Sequence, residues 1–288
     1  MVILAGLFLA FGSMFVGYLG CGGELRLLFQ PWEFLIIFGS AIGAAIFTAP
    51  WRVVVGSFYS LKYLFKIEIP VRKDYLEVLL FFFNIFRLVK AKGVVEIDKH
   101  INSPVDSVVF QSAPFLLHDP KGLDFMCDCL RLITFGMSHP DVLDTVMKKQ
   151  IKSHDEENGA YGNFFLQLGD SLPALGIVAA VLGVIVSMKS IGEPPQVLGK
   201  KIAAALVGTF CGILLSYVLV SPVGHFIMSR MQHRVDFLNC LRIGMLSYLN
   251  GHSPVVIVEV VREAIPDKCR PSFQETEKFI RENSLKIT

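Results

Sequence analysis

Four long stretches of this 288-residue chain lack any charged side chain: Met1 to Gly23, Phe34 to Trp51, Leu172 to Met188 and Ile202 to Gly224. Charged residues make up only 18% of the sequence against 53% hydrophobic, and the mean hydropathy is +0.55, outside the range of ordinary soluble domains. The formal net charge is +2 and the basic residues are scattered, which excludes a nucleic-acid-binding surface. Six cysteines, at positions 21, 127, 129, 211, 240 and 269, fall in segments expected to be cytoplasmic or membranous, so no disulfide is expected. Cys127 and Cys129 lie two apart on a helix and do not face each other, which argues against a metal site. The seven histidines show no HxxxH or HxH spacing. There is no phosphate-cradling glycine loop and no convincing nucleophile–base pair. Nothing points to an enzyme or to a cofactor.

What is present begins with a hairpin. At 1.5 Å per residue, Leu172–Met188 and Ile202–Gly224 rise roughly 25 and 35 Å, close to the hydrocarbon thickness of a bilayer. A short loop containing Glu193-Pro194-Pro195 joins them outside the membrane. Small residues recur at helical spacing on both: Gly176, Ala180, Gly183 and Ser187 on the first, Ala205, Thr209, Gly212 and Ser216 on the second. In lipid, helices associate through close backbone contact at small residues, so the stripes are read either as packing faces or as the lining of a narrow path. Pro173 suits a first helical turn, whereas Pro222 is expected to kink or end its helix. Neither hairpin helix has an ionisable group in its central part. If the hairpin conducts ions, the titrating carboxylate comes from another chain.

Met1–Gly23 has no basic n-region and no convincing cleavage site, so it is read as a retained span, with Gly6, Gly12, Gly17 and Gly20 marking close neighbours. Phe34–Trp51, flanked by Trp32 and Trp51, gives a second span. Glu33 at its start is assigned only to the helix dipole. Basic residues after spans two and four (Arg52, Lys62, Lys66; Arg230, Arg234, Arg242) outnumber Arg26, Lys189, Lys200 and Lys201 on the other side, favouring cytoplasmic termini. Tyr75–Val89 has an uncharged core too short to cross and is expected as a buried or interfacial helix. A charged helix over Val89–Ile101, interrupted by Gly93, and amphipathic helices over Leu123–Gly136 and Pro140–Ile151 follow. Strand-like alternation is absent. The last ~20 residues are polar and expected to be loose.

The fold expected is therefore an all-α membrane protein with four transmembrane helices. The segment between spans two and three, with the C-terminal tail, forms a helical cytoplasmic domain. The boundaries are 1–51 (spans one and two), 52–170 (cytoplasmic), 171–227 (hairpin) and 228–288 (tail).

Asp170-Ser171-Leu172-Pro173-Ala174-Leu175-Gly176-Ile177-Val178-Ala179-Ala180, Val207-Gly208-Thr209-Phe210 and Ser221-Pro222 resemble the MotA family of flagellar motor stator proteins. Gly17-Tyr18, Gly22-Gly23, Gln30-Pro31-Trp32-Glu33, Leu249-Asn250-Gly251 and Arg270-Pro271-Ser272-Phe273 extend the resemblance along nearly the whole chain. It implies a bacterial inner-membrane protein with both termini cytoplasmic, assembled as a homopentamer around a single-span, peptidoglycan-anchored MotB-type partner that carries the proton-binding aspartate. Pro173, Thr209 and Pro222 would shape the ion path. The family faces the rotor switch protein FliG with a basic residue three positions before the glycine of the charged helix and an acidic residue five after it. Lys90 and Asp98 hold those places around Gly93, although the family more often has Arg and Glu. Sodium-driven relatives tend to carry threonine where this chain has Ala180, which points to protons as the coupling ion rather than sodium. Two other functions stay open: a TolQ/ExbB-type energiser of an envelope transducer, and a non-conducting membrane scaffold.

Overall fold

A computed structural model describes residues 2–63 and 69–285; Met1 and Lys66 lie outside the described residues. Among these residues the secondary structure is helical. In chain order the helices are α1 (Val2–Gly20), α2 (Leu25–Leu28), α3 (Pro31–Thr48), α4 (Trp51–Tyr63), α5 (Arg72–Lys92), α6 (Ile97–Asn102) and α7 (Val108–Gln111). They continue with α8 (Pro114–His118), α9 (Pro120–Thr134), α10 (Pro140–Ser187), α11 (Pro195–Leu214), α12 (Ser221–Leu249), α13 (Pro254–Ala264) and α14 (Phe273–Asn283). A π-helical segment, Leu215–Val220, joins α11 to α12. Among the described residues, three helical stretches are long and apolar enough to cross a membrane: Leu25–Thr48, Pro140–Ser190 and Pro195–Leu249. Ala5–Gly20 is a shorter apolar helix.

The chain divides into two compact units. One comprises Met1–Ile67 and Asn158–Ser229, the other Glu68–Glu157 and Arg230–Thr288. The unit that holds the hairpin thus also takes in 52–67 and 158–170, which the sequence pattern groups with the cytoplasmic segment.

In the first unit, side chains such as Phe8, Phe47, Ile185, Val186 and Leu206 are exposed, Phe47 to 93%. Isolated soluble domains do not display so much apolar surface; lipid or another chain suits it. The helix expected to begin near Leu172 is instead the last third of α10, whose 48 residues run without a break from Pro140. No proline lies between 141 and 172 to stop it. Gly162 and Gly169 do not break it; they are close-approach positions, facing Met228 and Ser221 respectively. Pro173 therefore sits inside a helix and not in a first turn. Pro222 does not end its helix either, because α12 continues to Leu249. Among the described residues, Gly6, Gly12, Gly17 and Gly20 have no heavy atom within 4 Å of where a Cβ would lie, so those residues do not supply the close neighbours expected for them.

The second unit is built around α5, which is buried on nearly every side, as the short uncharged core of Tyr75–Val89 suggests. Phe81, Phe82, Ile85 and Phe86 pack with Phe125 and Met126 of α9, Leu241 and Met245 of α12, and Ile257 and Val261 of α13. Each such side chain contributes about 1.5–3 kcal/mol on burial. Asp74 caps the start of α5 by accepting from the Val71 N–H at 2.7 Å. Gly93, with φ of 88°, ends it in the left-handed region that a side chain would strain. Cys127 and Cys129 belong to this core, and burial pushes their thiols up to about 11 and about 12. Asp119 accepts a hydrogen bond from Arg234, and Asp144 pairs with both Arg242 and Lys148, so two of the arginines counted in the charge asymmetry have structural partners.

The described part of the tail is fastened to the rest of its unit. α14 carries a capping box between Ser272 and Glu275, and the Leu285 N–H donates to Asn84 Oδ1 at 3.1 Å. Arg262 clasps this region by donating to Glu259 Oε1 at 2.6 Å and to the Pro271 carbonyl at 3.1 Å. Hydrogen bonding from Arg262 holds the Glu259 carboxyl below its ordinary value of 4.5. A lowered folded pKa means the clasp stabilises the fold above the unfolded value and loses that effect as pH falls through the folded one. Protection of the α14 amides, measured as exchange relative to the intrinsic rate at each pH, should therefore fall below about pH 4.5 in the wild type and respond less in Glu259→Gln. Equal acid sensitivity in both would assign the effect to other carboxylates.

Candidate functional site: the seam between the hairpin helices

The last third of α10 and the second half of α11 meet along their small-residue stripes. A Cβ on Gly212 would lie 2.6 Å from the Leu172 carbonyl oxygen and 3.0 Å from the Gly176 Cα. One on Gly176 would lie 2.9 Å from the Gly208 carbonyl oxygen and 3.3 Å from the Thr209 Cα. Further along, Gly183 faces Ala205 at 2.6 Å, and Gly208 faces the Ala179 methyl at 3.3 Å and the Ala180 nitrogen at 3.6 Å. These are backbone-to-backbone approaches that no larger side chain could permit. Thr209 spends its hydroxyl here, donating to the Gly176 carbonyl at 3.4 Å. Ala180 and Thr209 thus line the same seam.

The two prolines act on one end of it. Pro173 has no N–H and so leaves the Gly169 carbonyl without its helical donor; Gly169 lies directly against the Ser221 hydroxyl. Ser221 immediately precedes Pro222. Upstream of Pro222, the ring would strike the carbonyl four residues back, and the helix answers with a π turn in which the Ser221 N–H donates to the Ser216 carbonyl. Ser216 and Ser221 each have a buried hydroxyl without a partner among the described residues, and Ser216 is only 1% exposed. Polar atoms freed in this way, on helices with few other polar groups, are the parts from which a hydrated path can be made.

Sequence reasoning missed a third contributor. Glu33, in the first turn of α3, turns its side chain onto the seam: Oε2 lies 3.0 Å from a Cβ built on Gly208, and Oε1 lies 3.5 Å from one built on Gly183. Its position beside an uncharged span was the available signal.

Lys90 and Asp98 lie in the other compact unit and are not part of the seam. Lys90 is exposed in the last turn of α5, and Asp98 is half-buried in the first turn of α6. The Gly93 turn and the short 3-10 helix Val94–Glu96 separate them. Among the described residues neither forms an ion pair, whereas the intervening Glu96 pairs with Lys99 at 3.0 Å.

Residues 4–93 match the family profile Motility protein A N-terminal, and residues 124–239 match the MotA/TolQ/ExbB proton channel family. The chain belongs to the motility protein A family. Motility protein A of Salmonella typhimurium and that of Escherichia coli are each 36% identical to it over 281 residues, covering 98% of this chain and 95% of theirs. Among solved structures, the Bacillus subtilis flagellar MotAB stator complex aligns with a TM-score of 0.75 at 25% identity, covering 93% of this chain and 96% of that one. The Campylobacter jejuni MotAB structure aligns at 0.78 with 19% identity, covering 94% and 98%, a likeness of fold. Membership extends to both compact units, because the N-terminal match ends at the Gly93 turn and the channel match spans the whole seam.

Proposed function

We propose that this chain is a flagellar motor stator subunit that forms a proton path with a single-span MotB-type partner and converts ion flow into torque on the rotor. The observation that carries this is the seam itself, glycine-tight along α10 and α11 and interrupted by two prolines, in a chain of a proton channel family. α1, α3 and the two hairpin helices serve as four spans in the inner membrane, with both termini and the α5-centred unit in the cytoplasm. The MotAB complexes that share the fold support a MotB-type partner, which supplies the proton-binding aspartate within a homopentamer. Its single span would lie against the exposed apolar face of the hairpin, where Phe210, Ile213, Leu214, Tyr217 and Val218 line a shallow groove.

Pro173 and Pro222 couple ion passage to helix movement, and Ala180 and Thr209 line the path. Ala180 offers no oxygen ligand, and Thr209 already donates to a carbonyl, so protons suit the seam better than sodium, which needs several oxygens. A TolQ/ExbB-type energiser would share the hairpin, but the match of residues 4–93 to the motility-specific N-terminal family favours the flagellar function.

Lys90 and Asp98, facing FliG, transmit the force. Exposed rim charges chiefly steer docking. Lys90→Glu combined with Asp98→Lys should therefore slow or stop swimming while membrane accumulation and partner co-purification stay at wild-type levels. A compensating charge reversal on the rotor protein should recover part of the speed. Normal swimming by the double variant would remove these residues from the rotor face.

A further inference from the structure

α4 turns outward a set of side chains that water does not favour. Its 13 residues, Trp51–Tyr63, rise about 20 Å, too short to cross a bilayer. One side of the helix is fixed to α10. Val54 and Ser57 are buried, and the Tyr161 ring lies over Gly56, where a Cβ would collide with it. Phe58 meets Phe164 and Phe165 edge-on at 6.0 and 6.2 Å. The outward side holds Trp51, 69% exposed, together with exposed Arg52 and Tyr59. A helix facing water buries its aromatic rings and shows its charges, whereas this one shows both. Arg52 and Lys62 are the charged residues of α4, and none is acidic. Among the described residues Arg52 has no ion-pair partner.

We propose that α4 is a lipid-binding helix, lying in the headgroup layer and holding anionic phospholipid through Arg52, with Trp51 and Tyr59 seated at the same level. The inference rests on the membrane placement proposed above and not on ion conduction. Continuity with the bilayer makes lipid the occupant. Only Ala49 and Pro50 separate α4 from the apolar helix α3, so Trp51 begins where the hydrocarbon ends. Tryptophan and tyrosine rings settle at that level, with an apolar body and a polar tip. A guanidinium there donates two parallel hydrogen bonds to one phosphate. Charge selects the lipid class: a helix with basic and no acidic residues is drawn to anionic headgroups and gains little from zwitterionic ones. Fastened to α10 at Gly56 and Phe58, the bound helix would set the depth at which α10 sits in the bilayer.

The chain has two tryptophans, so each can be read alone. The full chain and its partner are reconstituted in vesicles of phosphatidylglycerol and phosphatidylcholine, with one lipid or the other carrying acyl-chain bromine, which quenches indole on contact. Trp32→Phe leaves Trp51 as the reporter and Trp51→Phe leaves Trp32, while the variant with both changes supplies the partner's background. Brominated phosphatidylglycerol should quench Trp51 with an apparent affinity about fivefold above that of brominated phosphatidylcholine at low salt. Arg52→Glu should bring the ratio to about one, and so should about 0.5 M salt in the wild type. Equal quenching of wild-type Trp51 by the two lipids would overturn the proposal, as would a preference that survives Arg52→Glu. If Arg52→Glu does not accumulate, a wild-type preference indifferent to salt would overturn it equally. Quenching of Trp32 without quenching of Trp51 would mean that protein, such as a second copy of this chain, covers α4, and the proposal would fall. Quenching of neither would instead refute the membrane placement itself, so the two failures are distinguishable.

Discussion

Gly212→Val is expected to abolish swimming and to lower the amount of protein held in the membrane. The branched side chain would start 2.6 Å from the Leu172 carbonyl oxygen and 3.0 Å from the Gly176 Cα, and both are backbone atoms with no rotamer by which to escape. Overpacking a well-packed core typically costs ~1–3 kcal/mol, and here the hairpin helices must separate to relieve it. Separation would also break the Thr209 hydrogen bond to Gly176. Leu206→Ile, on the same helix and exposed, serves as the comparison and should behave as wild type. Quantifying membrane-bound protein beside swimming speed separates the outcomes. Wild-type abundance and speed for Gly212→Val would mean that the two helices do not meet as described.

Pro222→Ala is expected to do the opposite to stability and the same to rotation. Alanine restores an N–H and removes the ring that forces the π turn, and a proline inside a helix costs about 3 kcal/mol. The helix should close to regular α geometry and fold at least as well. Removing the extra residue of the π turn would, however, rotate the residues after 222 by roughly 100° about the helix axis. Ser221 would leave its place against Gly169, and the polar end of the seam would come apart. The expected phenotype is abundant, partner-bound protein that does not turn the rotor. Pro173→Ala, which closes the Gly169 carbonyl from the other side, should match it. Loss of accumulation in both variants would make the prolines folding elements and remove them from the mechanism.

Much of this was legible in the residues, for identifiable reasons. The stripes Gly176–Ala180–Gly183 and Ala205–Thr209–Gly212 follow helical periodicity, so a packing face on each helix is legible from spacing alone. The buried helix over Tyr75–Val89 was legible because its uncharged core is too short for a bilayer. Other features depend on partners distant in sequence. Pro173 looked like a helix start because local propensity favours proline there; tertiary contacts at Gly162 and Gly169 carry α10 straight through. The tail looked loose because it is polar, yet Arg262, Pro271 and Asn84 fasten it from elsewhere in the chain. Glu33 was invisible as a seam residue for the same reason. Nothing near it in the sequence names Gly208, more than 170 positions away.

The central claim is that this hairpin, with its partner, passes protons. The direct measurement is the rate of cytoplasmic acidification after an external acid pulse, in cells expressing this chain alone, the MotB-type partner alone, or both, with external sodium varied at constant pH and ionic strength. Both chains together should acidify the cytoplasm well above either alone, at a rate indifferent to sodium. No increase over the single chains would contradict the account and leave the seam as packing only.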